Sequence, residues 1–153
     1  MSFINKKGEH KKMGETKYGK YLMTECLKPK EAGRPGASKV FLKAEGEEVP
    51  GGVDLSIIGG YITEPYTMEP GSMVHDFDQC LLLIGANPDE MSDFDAEVEL
   101  CLGEEREKHI INSATVVHIP AGLVHCPLNI AKVNKPILFL DISIVGKYYK
   151  KPV

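Results

Sequence analysis

The chain has 153 residues, of which 42% are hydrophobic and 26% charged, a composition typical of one globular domain. Its formal net charge of -4 gives no support for general binding to nucleic acid. No apolar stretch is long enough to span a bilayer and no secretory signal is recognisable, so we expect a cytoplasmic protein without membrane association.

Charge is distributed unevenly along the chain. The segment Ala44–Glu107 holds 17 acidic residues and one basic residue, whereas the two flanking segments together hold 17 basic and 5 acidic residues. This asymmetry predicts that the basic ends pair with the acidic middle, within one subunit or between two. An RNA-binding basic tail is the alternative, but no aromatic or glycine-rich RNA signature accompanies the lysines.

The predicted elements are short strands separated by glycine and proline turns. Met1–Lys20 is polar and basic, and Lys28–Ala37 reads as a loop, so residues 1–35 are predicted to form a basic arm and loop before a single domain at 36–153. The predicted strands are Lys39–Lys43, Val53–Ile58, Tyr61–Thr67, Met73–Ile84, Ala96–Leu102, Thr115–Ile119 and Ile137–Val145. No window shows the periodicity of an amphipathic helix, so the pattern predicts an all-β sandwich or barrel, with a jelly roll favoured.

Histidines and cysteines are the first candidates for a functional site. The four cysteines form no CxxC pair and fit no zinc-finger spacing, so they are predicted to be reduced. Residues 73, 75, 77 and 79 share one face of a strand because side chains alternate, so His75 and Gln79 point the same way with Phe77 between them. In a small barrel the inward face holds either the core or a ligand site.

A second histidine lies in a recognisable motif. The segment Ile119–Asn129, IPAGLVHCPLN, resembles the second sequence motif of the cupin superfamily, in which Pro120, Gly122, His125 and Asn129 stand at the matching spacing. The opening glycine of that motif is absent, since residue 114 is alanine.

The first cupin motif is similar to Met73–Gly85 mainly by position. His75 matches its second histidine, but Met73 stands in place of the first histidine and Gln79 in place of the glutamate. The resemblance covers roughly residues 53–145 and implies a cupin-type double-stranded β-helix, that is, a jelly-roll barrel. His125 is expected to lean over the barrel interior from a turn.

The resemblance also implies a site. In cupins the motif residues bind a divalent metal, and here His75, Gln79 and His125 would be the ligands of one divalent ion, of a kind that the sequence does not identify. Gln79 offers only a neutral amide oxygen, and the thioether of Met73 suits copper(I) rather than iron, manganese or nickel. Four residues are predicted to line the pocket: Met73, Phe77, Cys126 and Asp141. Met73 and Phe77 could instead fill the vacated metal site with apolar bulk, and Cys126 could substitute as a ligand only if the turn aims it inward.

Three functions are compatible with these residues. The preferred one is a homodimeric cupin barrel that binds a small molecule at a degenerate metal site. The alternative is a divalent-metal-dependent enzyme of dioxygenase, isomerase or decarboxylase type that acts on a small oxyanion or carbonyl compound. A metal-free epimerase-type cupin would need a histidine–carboxylate pair, for which Asp141 is the candidate if it faces inward rather than lying near the barrel mouth.

Overall fold

The computed structural model describes residues 2–4, 10–12, 16–30, 36, 40–49 and 51–153. The strands of this part of the chain are β1 (Ser2–Ile4), β2 (His10–Lys12), β3 (Leu27–Pro29), β4 (Val40–Glu45), β5 (Ser56–Ile62), β6 (Tyr66–Glu69), β7 (Met73–Val74), β8 (Gln79–Gly85), β9 (Ala96–Leu102), β10 (Glu107–Ile111), β11 (Thr115–Ile119), β12 (His125–Val133), β13 (Ile137–Ser143) and β14 (Lys151–Pro152). A short 3-10 helix spans Gly19–Tyr21. The prediction of an all-β chain is confirmed.

Two antiparallel sheets form the body of the protein. The first sheet has the order β10-β9-β12-β7-β14, with β6 also paired to β12, and the second has the order β11-β8-β13-β5-β4-β3. Strands β1 and β2 form a separate two-stranded sheet among the described residues. The inner faces of the two sheets pack together to form the core, which comprises Ile62, Met73, Leu81, Leu83, Ala96, Val98, Leu100, Ile111, Ile119, Cys126, Leu128, Ile130, Ile137 and Phe139.

Alternation of buried and half-buried residues explains the central strands. In β8 every second residue from Gln79 to Gly85 is buried, and in β9 the same holds for Ala96, Val98 and Leu100. One face of each strand therefore contributes to the core, as a period of two requires. The prediction of β9 and β11 was correct to the residue.

The prediction of one long strand over Met73–Ile84 was wrong. The segment is divided between β7, which lies in the first sheet, and β8, which lies in the second, so residues 75–78 cross from one sheet to the other. The alternation nevertheless continues through the crossing: His75 and Phe77 are buried, whereas Asp76 and Asp78 are exposed. The predicted inward face is thus retained without a continuous strand.

A second correction concerns His125, which does not come from a turn. It is the first residue of the nine-residue strand β12, which pairs with β6, β7 and β9 and shifts register twice along β9. Proline and asparagine, here Pro127 and Asn129, are depleted in strands and obscure the pattern in the sequence.

The predicted boundary after residue 35 is not tested by the described residues. Residues 1, 5–9, 13–15 and 31–35 of the predicted arm and loop lie outside them. Strand β3 belongs to the segment predicted as arm and loop, and it pairs with β4 at the edge of the second sheet. The separation of an arm from a barrel domain stays a prediction.

The expected pairing between basic ends and acidic middle is observed for the segment that follows residue 107. Lys135 lies 2.8 Å from Asp93, Lys151 lies 3.1 Å from Asp76, and Lys150 contacts Glu69. Such surface pairs add little to stability, but they tie the last residues to the body of the barrel. No helix of the described residues is long and apolar enough to cross a membrane.

Candidate functional site

A cavity of about 240 Å³ opens between the two sheets at the end where β8 begins and β13 finishes. Its wall is largely apolar, with polar groups gathered around Gln79. The lining residues are Ile58, Met68, Glu69, Met73, Gln79, Leu81, His125, Cys126, Leu128, Phe139, Asp141, Tyr148 and Lys150. Mostly apolar cavities with a few convergent polar groups are typical of small-molecule sites.

Gln79 and Asp141 line this wall and form a hydrogen-bonded network with Ser143. The β8–β13 register places Gln79 opposite Ser143, and the Gln79 Nε2 donates to Asp141 Oδ2 over 2.7 Å. The Ser143 hydroxyl donates to Asp141 Oδ1 over 2.9 Å. Burial raises the pKa of Asp141, and these two hydrogen bonds oppose that shift because they favour the ionised carboxylate. Asp141 therefore faces the cavity. The sequence alone did not decide between an inward position and one near the barrel mouth.

His125 presents an unprotonated nitrogen in the same cavity. Its Nδ1 lies 3.0 Å from the Leu123 carbonyl oxygen, and because a carbonyl only accepts, Nδ1 carries the proton. Burial lowers the pKa of His125, so the ring is neutral near pH 7 and its Nε2 holds a free lone pair. A nitrogen fixed in this tautomer can accept a hydrogen bond or bind a metal.

His75 lies behind the cavity wall, in an aromatic cluster. Its ring stacks on Phe77, with centroids 4.6 Å apart and planes 12° apart, and it contacts His125 at 4.8 Å and Tyr148 at 5.3 Å. Neither ring nitrogen has a hydrogen-bond partner. Burial, reinforced by the neighbouring His125, lowers the pKa of His75 to about 4, so this ring is also neutral. Phe77 contacts His75 and Tyr149 and is not among the cavity-lining residues.

Cys126 faces inward beside His125 although neighbours in a strand normally diverge. The backbone at Cys126 has a φ of 70°, a left-handed conformation that interrupts the alternation, so both residues are buried and both line the cavity. Burial raises the pKa of the Cys126 thiol to about 12, which keeps it protonated. Met73, also in the wall, lies with its sulfur 4.0 Å from the Tyr148 hydroxyl.

The structure adds four polar residues to this site that the sequence did not indicate: Glu69, Ser143, Tyr148 and Lys150. Ser143 was predictable, because it continues the face of β13 that carries Phe139 and Asp141. Tyr148 and Lys150 were not, since they follow the last long strand and reach the cavity only through tertiary packing. Glu69 ends β6, a strand whose predicted position was several residues too early.

The predicted ligands offer few donors for a resident divalent metal. The only buried side-chain atoms without a partner among the described residues are both nitrogens of His75 and the Oε1 of Gln79, which belong to two of the three predicted ligands. However, no group of three or more histidine, cysteine, aspartate and glutamate residues in the described ranges could hold a metal. Two imidazoles and a neutral amide give too few charged donors for a tightly held ion, so these residues do not fit a resident divalent metal.

Comparisons with known proteins place the fold but not the activity. No protein-family model matches the chain, and no curated protein matches it. Solved structures do match. An oxalate oxidase in complex with the substrate analogue glycolate aligns with a TM-score of 0.60 and 12% identity, over 99% of this chain and 76% of that one. A recombinant oxalate oxidase with glycolate gives a TM-score of 0.59 and 13% identity, over 98% and 75%.

A variant of oxalate decarboxylase from B. subtilis aligns with a TM-score of 0.53 and 12% identity, over 78% of this chain. The chain spans only 29% of the length of that decarboxylase. At these identities the matches describe a shared architecture, and chemistry must be argued from the residues of this chain.

Proposed function

This chain has the double-stranded β-helix fold of the cupin superfamily, and from that premise we propose that it binds a small molecule in the cavity between its sheets, at a degenerate metal site. The observation that carries the proposal is the network of Gln79, Asp141 and Ser143, which fixes Gln79 and Asp141 in a largely apolar wall. Hydrogen-bonded polar groups in such a wall orient a ligand, while the apolar remainder supplies affinity.

A metal-dependent enzyme is the competing function. Its support is the absence of partners for the His75 nitrogens and the Gln79 Oε1, which a cation would satisfy. Against it stands the lack of a ligand carboxylate in the motif position that Gln79 occupies. The cavity-binding proposal requires no ion and makes use of Gln79 and His125, which both line the cavity.

A cavity-filling variant tests the proposed function. Leu128 lines the cavity from β12, and Leu128→Phe adds bulk there while Gln79, Asp141 and Ser143 keep their identities. In a protein-observed NMR screen of small molecules, we expect ligands that perturb cavity residues to lose at least tenfold in affinity in this variant. Val116→Phe is the matched control, because Val116 is exposed on β11, and it should leave affinity unchanged.

The same preparation separates the two functions. Elemental analysis of protein purified without tag or chelator should find no stoichiometric metal. A stoichiometric ion that is lost in both His75→Ala and His125→Ala would overturn the binding-only proposal in favour of the metal-dependent enzyme.

We further propose that the chain forms a homodimer in which the basic residues near the start of the sequence pair with the acidic middle of a second copy. The support is the charge asymmetry of the sequence, in which two basic segments flank an acidic middle.

A further inference from the structure

The charges around the cavity do not cancel. Glu69 and Lys150 both line it, and they are paired with each other, so together they contribute no net charge. Asp141 is the remaining carboxylate of the wall, and both of its described hydrogen-bond partners, Gln79 and Ser143, are neutral. No ion pair within the described residues involves Asp141.

Lys150, although paired with Glu69, also acts electrostatically on Asp141 and lowers the pKa of that carboxyl, and the other polar groups of the wall add no positive charge. His125 presents the lone pair of Nε2, since its Nδ1 proton is committed to the Leu123 carbonyl. Burial raises the pKa of Cys126 and of Tyr148, so both keep their protons and stay uncharged. The wall therefore offers a carboxylate and a nitrogen acceptor to a ligand.

Aromatic rings complete the surroundings. Phe139 and Tyr148 line the same cavity as Asp141. The face of an aromatic ring attracts a cation, and a carboxylate beside aromatic rings is a combination that suits an ammonium group. A buried carboxylate that lacks a cationic partner is costly, and a cationic ligand removes that cost.

We propose that the ligand of this cavity is a small organic cation, a primary ammonium compound, whose charge is placed beside Asp141 and whose alkyl part packs on the apolar wall. This proposal rests on the proposed function, because it names the ligand class of the same cavity. An ammonium group has three N–H donors and no acceptor, which complements Asp141 and His125. A carboxylate ligand would instead meet Asp141 with like charge, so this cavity should reject small acids.

Three probes of matched size separate these cases: n-butylammonium, n-butanol and butyrate. Dissociation constants are measured at pH 7 by NMR titration of cavity residues in the intact chain. We expect n-butylammonium to bind at least tenfold more tightly than n-butanol, and butyrate to leave the cavity signals unchanged. Asp141→Asn should abolish the preference for the cation and change the affinity for n-butanol less than twofold.

One further variant controls for the loss of a carboxylate elsewhere. Asp93→Asn removes a half-buried carboxylate that is paired with Lys135 and does not line the cavity, so it should preserve the preference. If Asp141→Asn does not fold, the three probes on the wild-type chain decide the question, because only a charged partner in the wall separates n-butylammonium from n-butanol and butyrate. Equal affinity for n-butylammonium and n-butanol would overturn the cation proposal and leave the cavity as a binding site. Failure of all probes and of the wider screen to perturb the cavity would overturn the proposed function itself.

Discussion

His75 is buried among aromatic rings with no hydrogen bond to either ring nitrogen. A buried polar group without a partner costs roughly 1–3 kcal/mol. Stacking on Phe77 offsets part of that cost, and the neutral ring avoids the larger cost of burying a charge. Burial of His75 is therefore compatible with a stable fold only while its ring is neutral.

Acid should destabilise the protein through His75. The pKa of His75 is about 4 in the folded chain and about 6.5 in the unfolded chain, so only the unfolded chain takes up a proton between these values. The free energy of unfolding therefore falls as pH is lowered from about 6.5 to about 4. His75→Leu should flatten this dependence by on the order of 2 kcal/mol.

Chemical denaturation of both proteins at several pH values measures this effect. The difference between them isolates His75 from His125, whose lowered pKa acts in the same direction, and from Asp141, whose raised pKa acts in the opposite direction. Equal pH slopes in the two proteins would contradict the assignment.

Gln79→Glu should restore the carboxylate that the first cupin motif carries at this position. The new carboxylate would stand within hydrogen-bond distance of Asp141, since Gln79 Nε2 lies 2.7 Å from Asp141 Oδ2. Without metal, the like charges should lower stability at neutral pH by about 1–3 kcal/mol. With Mn²⁺ or Zn²⁺ the variant should gain thermal stability, because a third ligand joins His75 and His125. Thermal melts with and without each ion provide the measurement, and equal stabilisation of the wild-type chain would contradict this account.

At the scale of elements, strand β13 connects the core to the site. It pairs with β8 on one side and with β5 on the other, and its inner face carries core residues at one end and Asp141 and Ser143 at the other. Its contact with β5 is close: a Cβ added at Gly59 would lie 2.1 Å from the Phe139 carbonyl oxygen and 2.8 Å from the Leu140 Cα. Only glycine permits this approach.

Gly59→Ala should therefore separate β5 from β13 and lower the free energy of unfolding by about 2 kcal/mol or more. The displacement should extend to Asp141, so binding in the cavity should weaken as well. Gly71→Ala is the matched control, because a Cβ there meets nothing within 4 Å. Urea denaturation compares the three proteins, and equal stability of the two variants would count against the close contact.

The sequence allowed the regular strands to be predicted and concealed the irregular ones. Ala96–Leu102 and Thr115–Ile119 were placed correctly because β-branched or alternating residues dominate them. The crossing of residues 75–78 between sheets was not predictable, because burial alternates through it as it would in a strand. The inward turn of Cys126 depends on a positive φ, which cysteine does not signal.

At the scale of the whole molecule, ion pairs between distant segments supplement the contacts of the hydrophobic core. Lysines that follow the acidic segment pair with carboxylates inside it, as the block pattern predicted. The fold was therefore largely predictable, because the alternation of hydrophobic residues and the charge of each segment can both be read directly from the sequence. The cavity was less so, because Glu69, Tyr148 and Lys150 join it from segments distant in sequence.

The proposed homodimer should depend on salt. Pairing between a basic segment and an acidic one weakens as ions screen both, with a Debye length of about 10 Å at 0.1 M and about 3 Å at 1 M. Light scattering coupled to size exclusion should show a dimer at low ionic strength that dissociates towards 1 M salt. A mass that stays constant across that range, whether monomer or dimer, would contradict the charge-driven interface.

Strand β13 has a consequence for how this protein can evolve. Because Asp141 and Phe139 lie on a strand paired on both sides, a mutation that alters ligand preference there also risks the folding of the barrel. Met68 and Glu69 lie on β6, whose strand partner within the described ranges is β12, and Tyr148 and Lys150 lie outside the long strands. Substitutions that change ligand preference should accordingly occur first at these peripheral positions, while Asp141 should be replaced more slowly.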